Sequence, residues 1–520
     1  MIDGARTERL ERAVSVPDVD GDGASDLLLL PVRAGFAGHV VLRSSADRSD
    51  LWNVDVQDEL APHQVCELST AIEIGDFTGD GNFNVAVSCV RVLPFPATVF
   101  ILDGHSGQEA LSFPIGGSGT GTGLGALGDV NGDGFTDLCV GSGPAEQRVY
   151  FGPDATLGYV IPGPVDGIHG SSGVGDLDAD GGNDFILGWA EEGLVTVHSG
   201  RTAAEIGRFC PVPGFSCLGT FGFVSSPVGD VNGDSFPDFA VCSPNIGDPA
   251  FGFTTGFVQV RSGADFSVIH HVQRRTSVAI GGFGSNVVSR SDVNGDGVHD
   301  VATCGIASGL PGDNGALISG RTGQILYRAL LVEDGGILDL DTMVTAATTL
   351  DDIDGDGYDD WSVGNGNCNL GGVRSGRIVI LAGGPGDVEQ VCDSTANSTG
   401  EPARLLLYDA ITAFRRGLEI QVRSAIPDGR AFLLYGLRAS TPSVLGGGLL
   451  CVDRQSAQVY GTPLVLDADG DANQIVNWGS PPIASAWVAG SSWTLQAVFR
   501  DPGSAAGANA TNAIEVTFNE

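Results

Sequence analysis

The chain has 520 residues and a formal net charge of −38, from 64 acidic against 26 basic residues. That sign is wrong for phosphate recognition, so nucleic acid is excluded as a partner, and no apolar run reaches the ~18 residues of a membrane-spanning helix. The length predicts two domains rather than one core, and the 79 glycines are dispersed at turns rather than gathered in a linker.

The N-terminus, Met1-Ile-Asp-Gly-Ala-Arg6, lacks the apolar stretch of a secretory signal. Because the loops described next suit calcium near millimolar, outside the cytosol, the natural start is expected to differ from the given one. The first of these loops is Asp18-Val-Asp-Gly-Asp-Gly-Ala-Ser-Asp26, with carboxylates at Asp18, Asp20, Asp22 and Asp26. Six more follow in register. The second offers Asp76, Thr78, Asp80 and Asn84, the third Asp129, Asn131, Asp133 and Asp137, and the fourth Asp176, Asp178, Asp180 and Asp184. The fifth has Asp230, Asn232, Asp234 and Asp238, the sixth Asp292, Asn294, Asp296 and Asp300, and the seventh Asp352, Asp354, Asp356 and Asp360.

Oxygen donors at positions 1, 3, 5 and 9 around a Gly-rich turn fit a hard cation, Ca²⁺ above all. Unneutralised, each pair of carboxylates 4 Å apart repels by on the order of 4 kcal/mol at an effective dielectric of ~20. A divalent ion reverses that sign, so the metal is expected to act as a folding ligand. Seven such ions would bring the net charge from −38 to −24. The second loop, with two carboxylates, is expected to bind weakly or not at all. In the fifth, Ser235 stands where the turn prefers Gly, a strain of ~1 kcal/mol.

First aspartates recur at steps of 58, 53, 47, 54, 62 and 60 residues, which marks a repeat architecture. Within a step, an apolar segment such as 283–288 leads into the loop. A short apolar run follows it: Leu27 to Leu30, Leu138 to Val140, Phe239 to Val241, Val301 to Thr303 or Trp361 to Val363. Alternating runs come next, as in Thr98 to Leu102, Leu194 to His198, Phe257 to Arg261 and Arg377 to Leu381. A Ser-Gly-Arg-Thr turn, at 199–202 and again at 319–322, precedes a last run such as Gln324 to Ala329. Four short strands per unit is the arithmetic of a propeller blade. An EF-hand would instead need a helix after the loop and a ligand at position 12. Closure requires a strand from one terminus, and residues 4 to 12 are predicted to complete the seventh blade.

The repeat stops near residues 383–392, so the predicted domains are a propeller over 1–386 and an accessory β-sandwich over 387–520. The second contains the runs Leu418 to Val422, Ala431 to Tyr435, Leu449 to Val452, Trp493 to Phe499 and Ala513 to Phe518. Asp467, Asp469 and Asp471 imitate a loop start, but position 9 would be Ile475, so a plain turn is expected. Asn397-Ser-Thr399 and Asn509-Ala-Thr511 fit a glycosylation sequon. Of ten cysteines, Cys66 and Cys89, Cys210 and Cys217, and Cys392 and Cys451 are candidate pairs. Cys139, Cys242, Cys304 and Cys368 fit buried thiols. There is no CxxC, HExxH or GxSxG, and the GxG within 116–128 precedes an aspartate loop rather than a helix, so zinc, hydrolase and nucleotide sites are disfavoured.

The first 385 or so residues resemble the FG-GAP repeats of the integrin α-subunit head and its bacterial relatives. Phe221-Gly222 and Phe283-Gly284 stand where that family has its Phe-Gly pair, with Leu124-Gly125 as a variant. The resemblance implies a seven-bladed propeller, with each loop between a blade's first two strands. It adds the position-7 carbonyl as a calcium ligand: Ala24, Asn82, Phe135, Gly182, Phe236, Val298 and Tyr358. Six or seven Ca²⁺ ions are then expected. The last segment, through 466–472 and 499–502, resembles a small domain at the end of secreted bacterial propeller proteins.

The function expected is a non-enzymatic, calcium-stabilised extracellular or cell-surface scaffold, monomeric, binding a protein or glycan ligand on a propeller face. No RGD occurs. A propeller lectin is the first alternative, although Trp52, Trp189 and Trp361 are not equivalently placed between repeats. A polysaccharide-degrading propeller enzyme is the second, resting on the one local cluster His270, His271, Arg274 and Arg275.

Overall fold

The computed structural model describes residues 2–3, 10–30, 39–56, 66–91, 97–115, 123–141, 146–163, 170–190, 192–211, 220–248, 253–273, 283–305, 315–329, 344–365, 377–384, 388–392, 394–400, 402–407, 417–477, 491–504 and 507–517. The protein is all-β, with no α-helix among these residues. It forms two compact units, Met1–Gly323 with Ala329–Gly384, and Pro385–Glu520 with Gln324–Arg328.

Seven four-stranded antiparallel sheets follow one another along the chain up to Leu381. In order of its four strands, sheet 1 is Arg12–Val16, Asp26–Leu30, His39–Arg43 and Asp50–Asp55, and sheet 2 is Cys66–Gly75, Asn84–Arg91, Thr98–Asp103 and Glu109–Pro114. Sheet 3 is Leu124–Gly128, Asp137–Gly141, Glu146–Phe151 and Thr156–Pro162, and sheet 4 is Ser171–Gly175, Asp184–Trp189, Leu194–His198 and Glu205–Phe209. Sheet 5 is Ser225–Gly229, Asp238–Asp248, Phe253–Arg261 and Val268–Gln273, and sheet 6 is Phe283–Val288, Val301–Gly305, Gly315–Ile318 and Ile325–Ala329. Sheet 7 takes Ala346–Thr349, Trp361–Asn365 and Arg377–Leu381 from late in the chain and its outer strand from the start, with Ile2 paired to Ile378 and Asp3 to Arg377. This corrects the expectation for residues 4 to 12. The outer strand is Ile2–Asp3, and Arg12 already opens the first strand of sheet 1; residues 4–9 lie outside the described ones.

Burial explains the sequence patterns. The second strands are covered on both faces, every residue of Asp26–Leu30 and of Asp137–Gly141 being buried. They therefore read as continuous apolar runs rather than alternations. Fourth strands such as Glu109–Pro114 are far more exposed and tolerate Glu and Ser.

Each sheet packs on the next. Val14, Leu28 and Leu42 of sheet 1 meet Val85, Val87 and Phe100 of sheet 2, where Arg12 Nη2 also donates to Ala71 O at 3.0 Å. Ile74, Val99 and Ile101 meet Leu138 and Val140 of sheet 3, and Leu127, Cys139 and Val149 meet Phe185 and Leu187 of sheet 4. Ile186 and Val197 meet Phe239 and Val241 of sheet 5. Ser289 N donates to Ser226 Oγ (3.1 Å) between sheets 5 and 6, and Ser291 Oγ to Leu350 O (2.8 Å) between sheets 6 and 7. Leu350 and Ile378 of sheet 7 then share a core with Ala13, Leu27 and Leu29 of sheet 1. Each such Leu, Ile or Val contributes about 1.5–3 kcal/mol on burial. The Phe-Gly pairs serve these junctions. Gly222, at φ +83°, brings its carbonyl so close to Gly188 that a Cβ on Gly188 would lie 1.8 Å from that oxygen.

In the second unit, Val388–Cys392, Ala508–Thr517, Ser492–Arg500, Arg430–Gly436 and Gln458–Val459 run side by side in one sheet, which Leu464–Val465 joins through Arg430–Gly436. Arg404–Leu407, Gly417–Arg423 and Ala472–Asn477 make a second sheet. The two share one core, in which Leu405, Ile420 and Val422 meet Leu433, Leu495, Ala497, Phe499 and Ile514. Cys392 and Cys451 form a disulfide with Cα atoms 6.3 Å apart. Cys89 and Cys210 are each disulfide-bonded as well, while Cys139, Cys242 and Cys304 are buried thiols; the Cys66 side chain, Cys217 and Cys368 lie outside the described residues. Neither sequon is open to a glycan: Asn397 (7 % exposed) donates its amide to Ser424 O, and Asn509 (1 %) to Ala396 O. Asp467 forms a plain turn, its Oδ1 accepting from Asp469 N and Asp471 N.

Candidate metal centre

All seven loops occupy the same place, between the first and second strands of their sheets. Their conformation follows from glycine. Positions 4 and 6 both require positive φ, as at Gly21 (+82°) and Gly23 (+96°), or Gly355 (+78°) and Gly357 (+96°). The exceptions are Ala179 (+62°) and Ser235 (+74°), which adopt the same backbone at a cost. With the chain so coiled, the position-1 carboxylate collects the backbone N–H groups of the turn. Asp18 accepts from Gly21 (2.6 Å), Asp22 (3.2 Å) and Gly23 (2.8 Å), and these bonds, Gly23 foremost, hold its carboxyl below the usual range. Position 5 accepts the N–H of position 7 in every loop, at Ala24, Asn82, Phe135, Gly182, Phe236, Val298 and Tyr358.

Position 9 is the buried anchor: Asp26, Asn84, Asp137, Asp184, Asp238 and Asp300 are 0 % exposed and Asp360 1 %. One carboxylate oxygen accepts from position 2, as at Val130 N→Asp137 Oδ2 (2.9 Å) and Leu177 N→Asp184 Oδ2 (2.7 Å). The other accepts from a glycine just after the third strand: Gly152 to Asp137 (3.0 Å), Gly200 to Asp184 (2.9 Å), Gly263 to Asp238 (2.9 Å), Gly320 to Asp300 (3.2 Å) and Gly383 to Asp360 (2.9 Å). Burial pushes these carboxyls up, Asp137 and Asp360 to about 6 and Asp300 to about 8. A buried carboxylate in that position favours a nearby cation.

The donor set therefore fits a hard divalent ion: oxygen throughout, with negative charge concentrated on a prearranged turn. Carboxylate oxygens of Asp18, Asp20 and Asp22 lie within 4.8 Å of one another, as do those of Asp352, Asp354 and Asp356, and of Asp176, Asp178 and Asp184. None of these trios contains all four expected carboxylates. The loop 4 trio takes in the buried Asp184 but not Asp180, whose Oδ2 accepts from Ser199 Oγ at 3.2 Å. In the loops with Asn at position 3, the amide donates to the position-5 carboxylate: Asn131 to Asp133 (2.8 Å), Asn232 to Asp234 (2.8 Å) and Asn294 to Asp296 (3.2 Å). Loop 2 closes on itself, with Asn84 Oδ1 accepting from Phe77 N, Thr78 N and Thr78 Oγ1.

The sequence shows a Ser-Gly-Arg-Thr turn but not that a serine of this turn reaches back to the loop. Ser44, Ser199 and Ser262 donate Oγ to the position-5 carboxylates Asp22, Asp180 and Asp234 at 3.4, 3.2 and 3.1 Å. The repeated Ser-Gly-Arg-Thr turn was the available signal. Such outer partners orient ligands much as the coordinating groups themselves do. Position 8 was also missed. It faces the preceding loop: Thr136 N donates to Asp76 O (3.0 Å), Asn183 N to Asp129 O (2.9 Å), and Asp359 Oδ2 accepts from Asp292 N (3.0 Å).

The residues singled out for other functions are held structurally. Trp52, Trp189 and Trp361 are 9, 3 and 2 % exposed. His270 Nε2 meets Gly320 O at 2.8 Å, and His271 lies against Phe257 with ring centroids 4.9 Å apart. Arg274 and Arg275 lie outside the described residues.

No family model matches the chain. Among curated proteins it is similar to integrin alpha-E of Mus musculus, 33 % identical over 142 residues. The matched stretch is 24 % of this chain and only 12 % of that protein.

Proposed function

We propose that the seven sheets close into a seven-bladed β-propeller whose loops bind Ca²⁺, and that the protein is a non-enzymatic extracellular or cell-surface scaffold for a protein or glycan ligand. Pairing of Ile2–Asp3 with the last sheet and the core shared by sheets 7 and 1 support closure. The observation that carries the metal reading is the recurrence of one loop in seven sheets, each resting on a buried position-9 side chain. Six ions are expected, since loop 2 is satisfied internally. The adhesion reading leans on the partial likeness to integrin alpha-E. The second unit is read as an accessory β-sandwich.

Burial of Trp52, Trp189 and Trp361 removes them as stacking platforms for sugars, which favours the scaffold over a lectin. Two measurements test the proposal. Melting in excess Ca²⁺ and in EDTA, with elemental analysis, should give a higher midpoint with metal and about six ions; equal midpoints with no bound ion would end the metal reading. A protein and glycan binding screen, with and without Ca²⁺, tests the scaffold; turnover of a polysaccharide with no stable binding would reverse it.

A further inference from the structure

Arg201 belongs to the Ser199-Gly200-Arg201-Thr202 turn that backs loop 4, yet its guanidinium reaches two loops. Nη2 donates to Gly181 O (3.1 Å) and Nε lies 3.8 Å from Asp180 Oδ1, both in loop 4. Nη1 donates to Asn131 O (3.3 Å), at position 3 of loop 3. The arginine is itself fixed from sheet 3, because Tyr159 Oη donates to Arg201 O at 2.7 Å. Two further links join the same loops. Asn183 N, at position 8 of loop 4, donates to Asp129 O, at position 1 of loop 3 (2.9 Å). A Cβ on Gly182 would stand 2.6 Å from Val130 O, so the two backbones are in close contact.

Arg321 provides a built-in comparison. It occupies the same turn position in sheet 6, but Nη2 donates to Asp296 O and Nε lies 3.4 Å from Asp296 Oδ1, both within loop 6. Arg321 makes no bond to loop 5 among the described residues.

We propose that Arg201 is a positioning residue that couples the metal sites of loops 3 and 4, so that a cation in either raises the affinity of the other. The inference rests on the calcium reading above. Its physical basis is shared ordering. A cation in loop 4 draws in Asp180 and fixes the turn through Gly181; the same guanidinium then holds Asn131, so loop 3 has less disorder left to lose. The coupling must be reciprocal, because it is a single free energy linking two binding events. Mutual repulsion of the two ions opposes it and is weakened by salt, since these loops are exposed.

The test reads each loop separately in the full chain, by hydrogen-exchange mass spectrometry of the peptides covering 129–137, 176–184 and 292–300 during a Ca²⁺ titration. Asp176→Asn with Asp178→Asn, which empties loop 4, is expected to move the loop 3 midpoint at least about fivefold toward higher calcium, with loop 6 unmoved. In an Arg201→Gln background that shift should fall below about twofold. Arg321→Gln should move loop 6 alone. If emptying loop 4 leaves loop 3 unmoved, the coupling does not exist; if it shifts loop 3 equally with Gln at 201, Arg201 does not carry it, and either result overturns the proposal. Should the wild-type loops exchange identically with and without Ca²⁺ at every concentration, the calcium reading falls and takes the coupling with it.

Discussion

Trp52 and His270 perform one task in the first and fifth sheets. Trp52 Nε1 donates to Gly104 O at 2.9 Å and His270 Nε2 to Gly320 O at 2.8 Å, each from a fourth strand to the third-turn glycine of the next sheet. Each ring also packs on the glycine three residues further on. A Cβ on Gly107 would sit 2.8 Å from Trp52, and one on Gly323 2.8 Å from His270. An indole and an imidazole are interchangeable here because the site asks for a flat ring with one N–H at its far edge.

Trp52→Phe should therefore keep the packing and lose the bond, leaving a carbonyl short of its donor. The expected cost is about 1–3 kcal/mol in chemical denaturation of the calcium-loaded chain. Trp52→His is expected to restore part of it. An unchanged midpoint in the Phe variant would mean the bond contributes nothing.

The positive-φ positions of the loops make a second, cleaner prediction. Ser235 (+74°) and Ala179 (+62°) hold a backbone that L-residues resist by about 1–2 kcal/mol, while glycine at either site adds chain entropy to the unfolded state worth about 0.4–1 kcal/mol. Ser235→Gly and Ala179→Gly should each stabilise by about 0–1.6 kcal/mol. Gly355→Ala is the reverse experiment. Its Cβ would meet nothing within 4 Å, so the loss it causes is conformational and not steric. Melting curves of the three variants in Ca²⁺ decide the matter by sign.

What could be read in the sequence was local. The loops, the apolar second strands and the strain at Ser235 are each set by residues within about a turn of one another. What could not be read was the pairing of distant parts. Asp238 finds its second donor at Gly263 and Asp360 at Gly383, across a whole hairpin. The outer strand of sheet 7 is two residues from the other end of the chain, too short to leave a periodicity. His270, in the one local cluster on which the enzyme alternative rests, meets a carbonyl in the neighbouring sheet.

His198 makes one contribution to the pH dependence, separate from that of the raised carboxyls Asp137, Asp300 and Asp360. Its Nδ1–H donates to Ala203 O at 3.1 Å, so Nε2 is the acceptor for Thr196 Oγ1 at 2.9 Å. That hydroxyl in turn accepts from Trp189 Nε1 (2.9 Å), and the ring stacks on Phe185 at 5.4 Å. Burial lowers the imidazole's pKa below the ordinary 6.5, favouring the neutral form in the folded chain. Unfolding then takes up a proton at this ring between the lowered value and 6.5, so the His198 contribution to stability is flat above 6.5 and is lost as acid is added through that window. Comparing urea midpoints of wild type and His198→Phe across that window isolates this residue from other acid effects. The wild type should lose stability faster; parallel curves would show that His198 titrates alike in both states.

Loop 2 offers the reciprocal experiment, building a site where the chain has closed one. Asn84 is 0 % exposed, accepts three bonds from Phe77 and Thr78, and donates Nδ2 to Leu102 O at 3.3 Å. The turn glycine, Gly104, is correspondingly diverted and donates to Phe83 O instead of to position 9. Asn84→Asp places a carboxylate against the Leu102 carbonyl and removes the donor between them. In EDTA that should cost about 1–3 kcal/mol. With Thr78→Asp added, the loop carries the four carboxylates of loops 1, 4 and 7, and repulsion among them should deepen the loss without metal. Calcium should reverse the order, giving the double variant one more bound ion than wild type and a larger calcium-dependent rise in melting temperature. An unchanged ion count would mean that the backbone of loop 2, and not its missing charge, is what keeps the metal out.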